Sequence, residues 1–366
     1  MNIKSLLLGS AAALVAVSGA RAADAVMAPE PEPVEYVRVC DAYGAGFFYI
    51  PGTETCLQIS GLVYYQITAS SFETGDTRSY HWGYGTGDGW NKTVRGRLNF
   101  DARSETEWGT LRSFIRFQAT WNGSGDGEVT ADHAYIDLGG FRIGYTDSFW
   151  GISGNGGPSN GGSHSDTGMS YGYQQRALIG YRFDSNGFFG ALSLEDDALS
   201  VGGDGYVPDV VAKIGYGNSW GAVWAKVAYD ESYNVLGDDG FAAQLGAHIN
   251  MPNMPGSSLR LIAFYSDSDN AYGVKGPTLD AAEWSILASY QQRFSEQFVG
   301  SVGVQYFSDL YADGTDIGTG IDAWTAELSL AWTPVTNFEI RTELAYQDMD
   351  GAPGTASGFL RFTRSF

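Results

Sequence analysis

The stretch Val94-Arg95-Gly96-Arg97-Leu98-Asn99-Phe100-Asp101-Ala102-Arg103 decides how the chain is read. Every second residue is apolar or small, and those between are charged or polar. Successive side chains of a strand point to opposite faces, so a period of two marks an extended strand with one apolar and one charged face. A helix would scatter the same residues around its circumference.

The period continues in both directions. Upstream, Leu57, Ile59, Gly61, Val63, Tyr65 and Ile67 form an apolar face; downstream, Ile115, Phe117, Ala119 and Trp121 alternate with Arg116, Gln118 and Thr120. Further segments at 134–138, 141–145, 177–183, 188–194, 210–216, 223–229, 241–249, 259–265, 282–290, 298–306, 324–332, 338–346 and 360–366 bring the total to sixteen. Short turns such as Gly139-Gly140 alternate with longer acidic connections at 195–205, 230–240, 267–280, 309–322 and 348–354. Short turns on one side and long loops on the other are the layout of an outer-membrane barrel. Aromatic residues close many of the apolar faces (Tyr145, Tyr216, Tyr229, Tyr265, Tyr290, Tyr306, Trp332, Tyr346, Phe366), where they would form interfacial girdles. A soluble β-sandwich also alternates, but two packed sheets would need far more apolar residues turned inward.

Composition agrees. Among 366 residues there are 50 Gly, 14% aromatics and only 17% charged residues, against roughly 25% charged in ordinary globular domains. The net charge of −21 argues against nucleic acid as a partner, since phosphate binding needs a cationic surface. Beyond the N-terminus no run approaches the roughly 20 apolar residues of a membrane-spanning helix.

That N-terminus reads Met1-Asn2-Ile3-Lys4, an apolar core from Leu6 to Val17, then Ala20-Arg21-Ala22. A charged start, a short apolar core and an A-x-A site define a secretory signal peptide, residues 1–22, cleaved after Ala22. Export places Cys40 and Cys56 in an oxidising compartment. Their spacing is too wide for C-x-x-C redox chemistry and no His stands nearby, so they are expected to form a disulfide worth roughly 3 kcal/mol. The organisation expected is a signal peptide (1–22), an extension with Pro29, Pro31, Pro33 and the Cys40–Cys56 loop (23–56), and a barrel (57–366).

The fold class is therefore all-β, a 16-stranded antiparallel transmembrane barrel. A spanning sheet must close on itself, and about sixteen strands leave a water-filled lumen. The expected function is passive diffusion of small hydrophilic solutes and ions, in contact with outer-membrane lipid and lipopolysaccharide and with no cofactor. A solute-specific channel and an occluded structural or adhesive barrel are the competing readings. Phe114, Trp224, Phe264 and Phe359 share the lumen phase but are dispersed, which favours the general pore. No G-x-S-x-G is present, the run from Gly83 to Gly89 lacks the Lys of a phosphate loop, and Asp309, Asp313, Asp316 and Asp322 are irregularly spaced for Ca²⁺.

The connection 146–174 breaks the acidic pattern. It is long, Gly- and Ser-rich, and follows the fifth segment; a loop of this length without secondary structure is usually functional or disordered. Two readings stand: it folds inward, or it is an external loop. By phase, Arg95, Arg97, Arg112, Arg116 and Arg142, with Arg176 and Arg182, share the polar face, and Asp147 and Asp166 lie on the loop. Guanidiniums facing carboxylates would set a transverse field at a constriction and tune ion selectivity. Alternatively the arginines pair with Asp101, Asp132 or Asp137 and fill the wall.

The signal segment, the stretch Val37-Arg38-Val39-Cys40-Asp41-Ala42-Tyr43-Gly44-Ala45-Gly46-Phe47-Phe48-Tyr49-Ile50-Pro51-Gly52-Thr53-Glu54-Thr55-Cys56-Leu57 and the terminal Phe366 resemble the alphaproteobacterial porins of the rhizobial and brucella type. The resemblance implies a homotrimer of 16-stranded barrels, passive diffusion, an inward loop after the fifth strand (here 146–174) and Phe366 as a barrel-assembly signal. This chain departs from the usual pattern in that the loop holds Asp147 and Asp166 but no Glu.

Overall fold

The computed structural model describes residues 38–71, 88–122, 127–151, 161–196, 207–233, 237–278 and 280–366. The expected signal peptide, the Pro-containing residues 23–37 and most of the Gly83 to Gly89 run lie outside the described residues. A two-residue strand, β1 (Phe48–Tyr49), precedes sixteen long ones. These are β2 (Cys56–Ser71), β3 (Asp88–Thr106), β4 (Gly109–Trp121), β5 (Val129–Leu138), β6 (Phe141–Asp147), β7 (Gln175–Ser185), β8 (Phe188–Asp196) and β9 (Asp209–Asn218). They continue with β10 (Gly221–Asp230), β11 (Gly240–Asn250), β12 (Ser258–Ser266), β13 (Ala282–Arg293), β14 (Phe298–Leu310), β15 (Ala323–Val335), β16 (Phe338–Met349) and β17 (Ala352–Ser365).

Each long strand pairs antiparallel with the next, and β17 returns to β2 from Ser357↔Ser70 to Ser365↔Leu62, closing the sheet. The Phe366 backbone extends this seam by exchanging two 3.0 Å hydrogen bonds with Gly61. Closure leaves no row of unpaired edge amides, which a bilayer would penalise by several kcal/mol per group.

The exposure pattern is inverted relative to a water-soluble domain. Ile59, Val63, Leu245 and Ile286 are exposed, whereas Lys226, Gln244, Arg260, Gln305 and Glu343 are buried. Soluble proteins almost never bury Lys, Glu and Arg while showing water a continuous aliphatic band. Apolar side chains turned to hydrocarbon and polar ones turned to the lumen account for both sets.

Cys40 and Cys56 are joined by a disulfide and pack with Phe47 in a small cluster at the start of β2. Arg103 of β3 lies over the Phe47 ring at 5.0 Å, tying this cluster to the barrel wall. Two local features depart from expectation. The connection at 348–354 is no long loop: β16 runs to Met349 and β17 starts at Ala352, so only Asp350 and Gly351 turn the chain. Gly351, at φ +78°, supplies the left-handed step of that tight turn. The β4–β5 ladder also slips at Arg116/Phe117, so that Asp132 is an extra residue on β5. Such a bulge re-aims a side chain; here it brings Asp132 to the arginines on the polar face.

Candidate functional site

Arg95, Arg97 and Arg116 border one cavity of about 820 Å³ together with Asp147 and Asp166. Five of the seven charged residues expected at a constriction thus meet at one space. Arg97 donates to Gln118 Oε1 at 2.7 Å and stands 3.8 Å from Asp132, and Arg116 stands 3.3 Å from the same carboxylate. Arg95 donates to Thr120 Oγ1 at 2.9 Å and lies over the Tyr64 ring. Two guanidiniums therefore gather around Asp132 and a third stands beside them, so this wall carries a positive excess toward the cavity.

Arg112 and Arg142 do not border this cavity. Arg112 bridges Asp101 at 2.9 Å and Asp137 at 3.3 Å, and Arg142 grips Asp137 through two bonds of 2.7 and 2.9 Å. Arg142 also stacks on Tyr135 at 3.9 Å. Pairing and cavity lining are not exclusive: Arg97 and Arg116 border the cavity and also pair with Asp132. The arginines near the short-turn ends of β4 and β6 are paired with Asp101 and Asp137, and those farther along β3 and β4 border open space. Of the two further arginines in phase, Arg182 stands 3.6 Å from Asp137 and Arg176 donates to Gln174 Oε1 at 2.7 Å.

Residues 161–174 also border this cavity, and their partners are polar-phase residues of β12, β13, β14, β16 and β17, buried except for Arg361. Arg260 donates to the carbonyls of Gly162 and Ser163. The His164 ring nitrogens bond the Ser289 and Ser258 hydroxyls at 2.7 and 2.9 Å. The Asp166 and Ser170 amides donate to Glu343 and Gln305 at 2.6 and 3.1 Å, and Arg361 pairs with Asp166 at 2.5 Å. Small residues permit this fit: a Cβ on Gly162 would overlap the Gly168 carbonyl oxygen.

The electrostatics follow from these contacts. Burial alone would raise the Asp166 pKa, but the Arg361 and Arg341 charges hold it below the usual carboxylate range, so the loop keeps its negative charge. Burial, reinforced by the Arg260 and His248 charges, lowers His164 to about 3, so this ring is neutral at physiological pH. Tyr173 is pushed above its ordinary range by burial and by Asp147, whose Oδ1 accepts from its hydroxyl at 3.2 Å.

The remaining lining was not foreseen. Gln305, Thr325 and Gln347 supply a polar wall interrupted by Phe307, and Lys275, Gly276 and Pro277 reach the cavity from the β12–β13 connection. The apolar run Ala271-Tyr272-Gly273-Val274, set in an otherwise acidic loop, was the available signal for that second loop. Much of the remaining interior is filled by side chains. Phe149, Trp150, Leu178, Val211 and Tyr272 form one buried cluster, and Met169, Tyr171, Trp224, Ile262 and Phe264 belong to another. Phe114 instead stacks on Tyr135 at 5.1 Å, and Phe359 packs with Ala345. The four aromatics in lumen phase thus make no continuous track. In the outer acidic loop, Asp309 and Asp322 accept hydrogen bonds from the Gly320 and Asp309 amides. Asp313 stands apart from them, beside Asp269 and Asp280.

The profile of the porin subfamily matches residues 24–358. "Porin Omp2b" of Brucella canis is 38% identical over 403 aligned residues, which cover 100% of both chains. Among solved structures, the outer membrane channel DcaP of Acinetobacter baumannii superposes with a TM-score of 0.68 at 16% identity, over 87% of this chain and 99% of that one. An anion-selective porin from Comamonas acidovorans superposes with a TM-score of 0.60 at 12% identity, over 86% of this chain and 100% of that one.

Proposed function

Because the chain belongs to the porin subfamily and forms a passive channel of the outer membrane, we propose that it is a general diffusion pore narrowed between the Arg95–Arg97–Arg116 wall and residues 161–174. The observation that carries this reading is the cavity of about 820 Å³ bordered by Arg95, Arg97 and Arg116 together with Asp147 and Asp166. A field across a water-filled passage orients and sorts ions without a binding pocket for one solute. The dispersal of the lumen aromatics favours a general pore over a solute-specific one.

In this reading residues 1–22 are removed after Ala22 on export, residues 23–56 form an extension stapled by Cys40–Cys56, and Phe366 marks the chain for barrel assembly. The pore sits in outer-membrane lipid and lipopolysaccharide as a homotrimer, and its role is transport rather than catalysis. Planar-bilayer recording of the refolded protein tests the proposal. Conductance steps in groups of three with little preference among small sugars and ions are expected. A folded barrel with no conductance would point to the occluded reading, and block by a single solute class to a specific channel.

A further inference from the structure

The β12–β13 connection, residues 267–281, is braced across the lumen. The Tyr272 hydroxyl donates to Asp209 Oδ2 at 2.8 Å, its ring meets Trp150 edge-on at 6.0 Å, and Tyr272 and Val274 are fully buried. Asn270 Oδ1 accepts from the Tyr272 and Gly273 amides, each at 3.0 Å. Ser170 Oγ donates to the Lys275 carbonyl at 2.6 Å, coupling this loop to residues 161–174. The chain that carries Lys275 is therefore held from three sides: by β9, by the Trp150 ring and by the neighbouring loop.

Lys275 also has a singular position. It borders the arginine-lined cavity and, at the same time, a second cavity of about 240 Å³ whose lining includes Glu195, Asp196, Asp209, Asp230, Glu231 and Asp269. Its ammonium pairs with Asp269, whose Oδ1 also accepts from the Ala281 amide at 2.6 Å and whose Oδ2 accepts from Gly314 at 3.0 Å. The Lys275 side chain keeps 34% of its surface exposed, so the charge faces solvent as well as its partner. The second cavity is acidic on balance, with Arg176 the other cation in its lining, and the Lys275 ammonium stands where it and the arginine-lined cavity share a residue.

We propose that Lys275 is a selectivity-determining residue of the channel: it stands between an acidic chamber and the arginine-lined passage, and its charge disfavours cations crossing from one to the other. The proposal deepens the pore reading and rests on it. A unit charge roughly 8 Å from the path, screened as in water, moves cation and anion barriers in opposite directions, so its loss raises the cation-to-anion permeability ratio about fivefold.

The experiment is reversal-potential measurement in a salt gradient, on refolded protein whose heat-modifiable band shows an intact barrel. Lys275→Gln is expected to raise cation preference about fivefold, Lys275→Arg to match the parent, and Asp269→Asn, which releases the ammonium from its partner, to shift preference toward anions. A triple Arg95→Gln, Arg97→Gln, Arg116→Gln variant is measured alongside. If the triple variant shifts selectivity and Lys275→Gln does not, the role of Lys275 is overturned and the pore reading stands. If neither shifts it, the pore reading itself fails. If Lys275→Arg behaves like Lys275→Gln, the side chain acts by shape rather than by charge, which also overturns the proposal.

Discussion

The two halves of the barrel interior start from the same strand code and end with opposite characters. Along β3 and β4, alternate positions carry Arg95, Arg97 and Arg116 beside open space. Along β8 to β13, the same phase carries Phe189, Val211, Trp224 and Ile262, and two loops are packed onto them. Even the cations differ: Lys226 is fully buried and donates to the Trp150 carbonyl at 2.6 Å, whereas the cavity arginines are half-buried. The lesson is that strand periodicity says which residues turn inward, while the loops decide which of those meet water. A lumen-phase cation is a wall component under a loop and borders open space beside one.

That contrast can be broken most forcefully by removing the loop. Deleting residues 153–165 takes away the His164 clasp and the Gly162 and Ser163 carbonyls that Arg260 holds; single-channel conductance is expected to rise at least about twofold as the lumen widens. Unchanged conductance would mean that the open half alone sets the current.

A subtler attack leaves the loop in place and removes its anchor. Arg260→Met strips two carbonyls of their donor, and each buried unsatisfied group costs about 1–3 kcal/mol. The folded band should be lost at a lower temperature on gel electrophoresis, and current noise should increase while reversal potential stays the same. Tyr272→Phe removes the bond to Asp209 and should lower stability by about 1 kcal/mol, again with selectivity unchanged.

A further expected effect is one of pH. His164 is packed against Arg260 of β12, His248 of β11 and the Ser258 and Ser289 hydroxyls, and its pKa is lowered to about 3. Between its ordinary value near 6.5 and that value the unfolded chain binds a proton that the folded one does not. Stability therefore falls as pH drops through this window, by at most about 1.4 kcal/mol per unit. His164→Gln should flatten that slope relative to the parent; an identical slope would show that other groups carry it.

The architecture was legible because period two survives almost any loop. The sixteen periodic segments correspond to β2–β17, and Cys40 and Cys56 are bonded. The site was legible only by phase. Phase alone could not separate Arg97, which borders open space, from Arg142, which grips Asp137, because neighbours on adjacent strands make that difference. Asp132 turns inward through a one-residue bulge that no simple alternation signals. Lys275 sits on a loop whose acidity resembled that of an external loop, and the anchoring partners of Tyr272 lie 63 and 77 positions away in the chain.

The central claim is that ions pass along the arginine wall and are sorted there. It is tested most directly by the reversal potential of the Arg95→Gln, Arg97→Gln, Arg116→Gln variant against the parent, across a bilayer with a potassium chloride gradient. A shift toward cation preference with conductance retained is the predicted result. An unchanged reversal potential in an intact, conducting barrel would contradict it and move the ion path away from this wall.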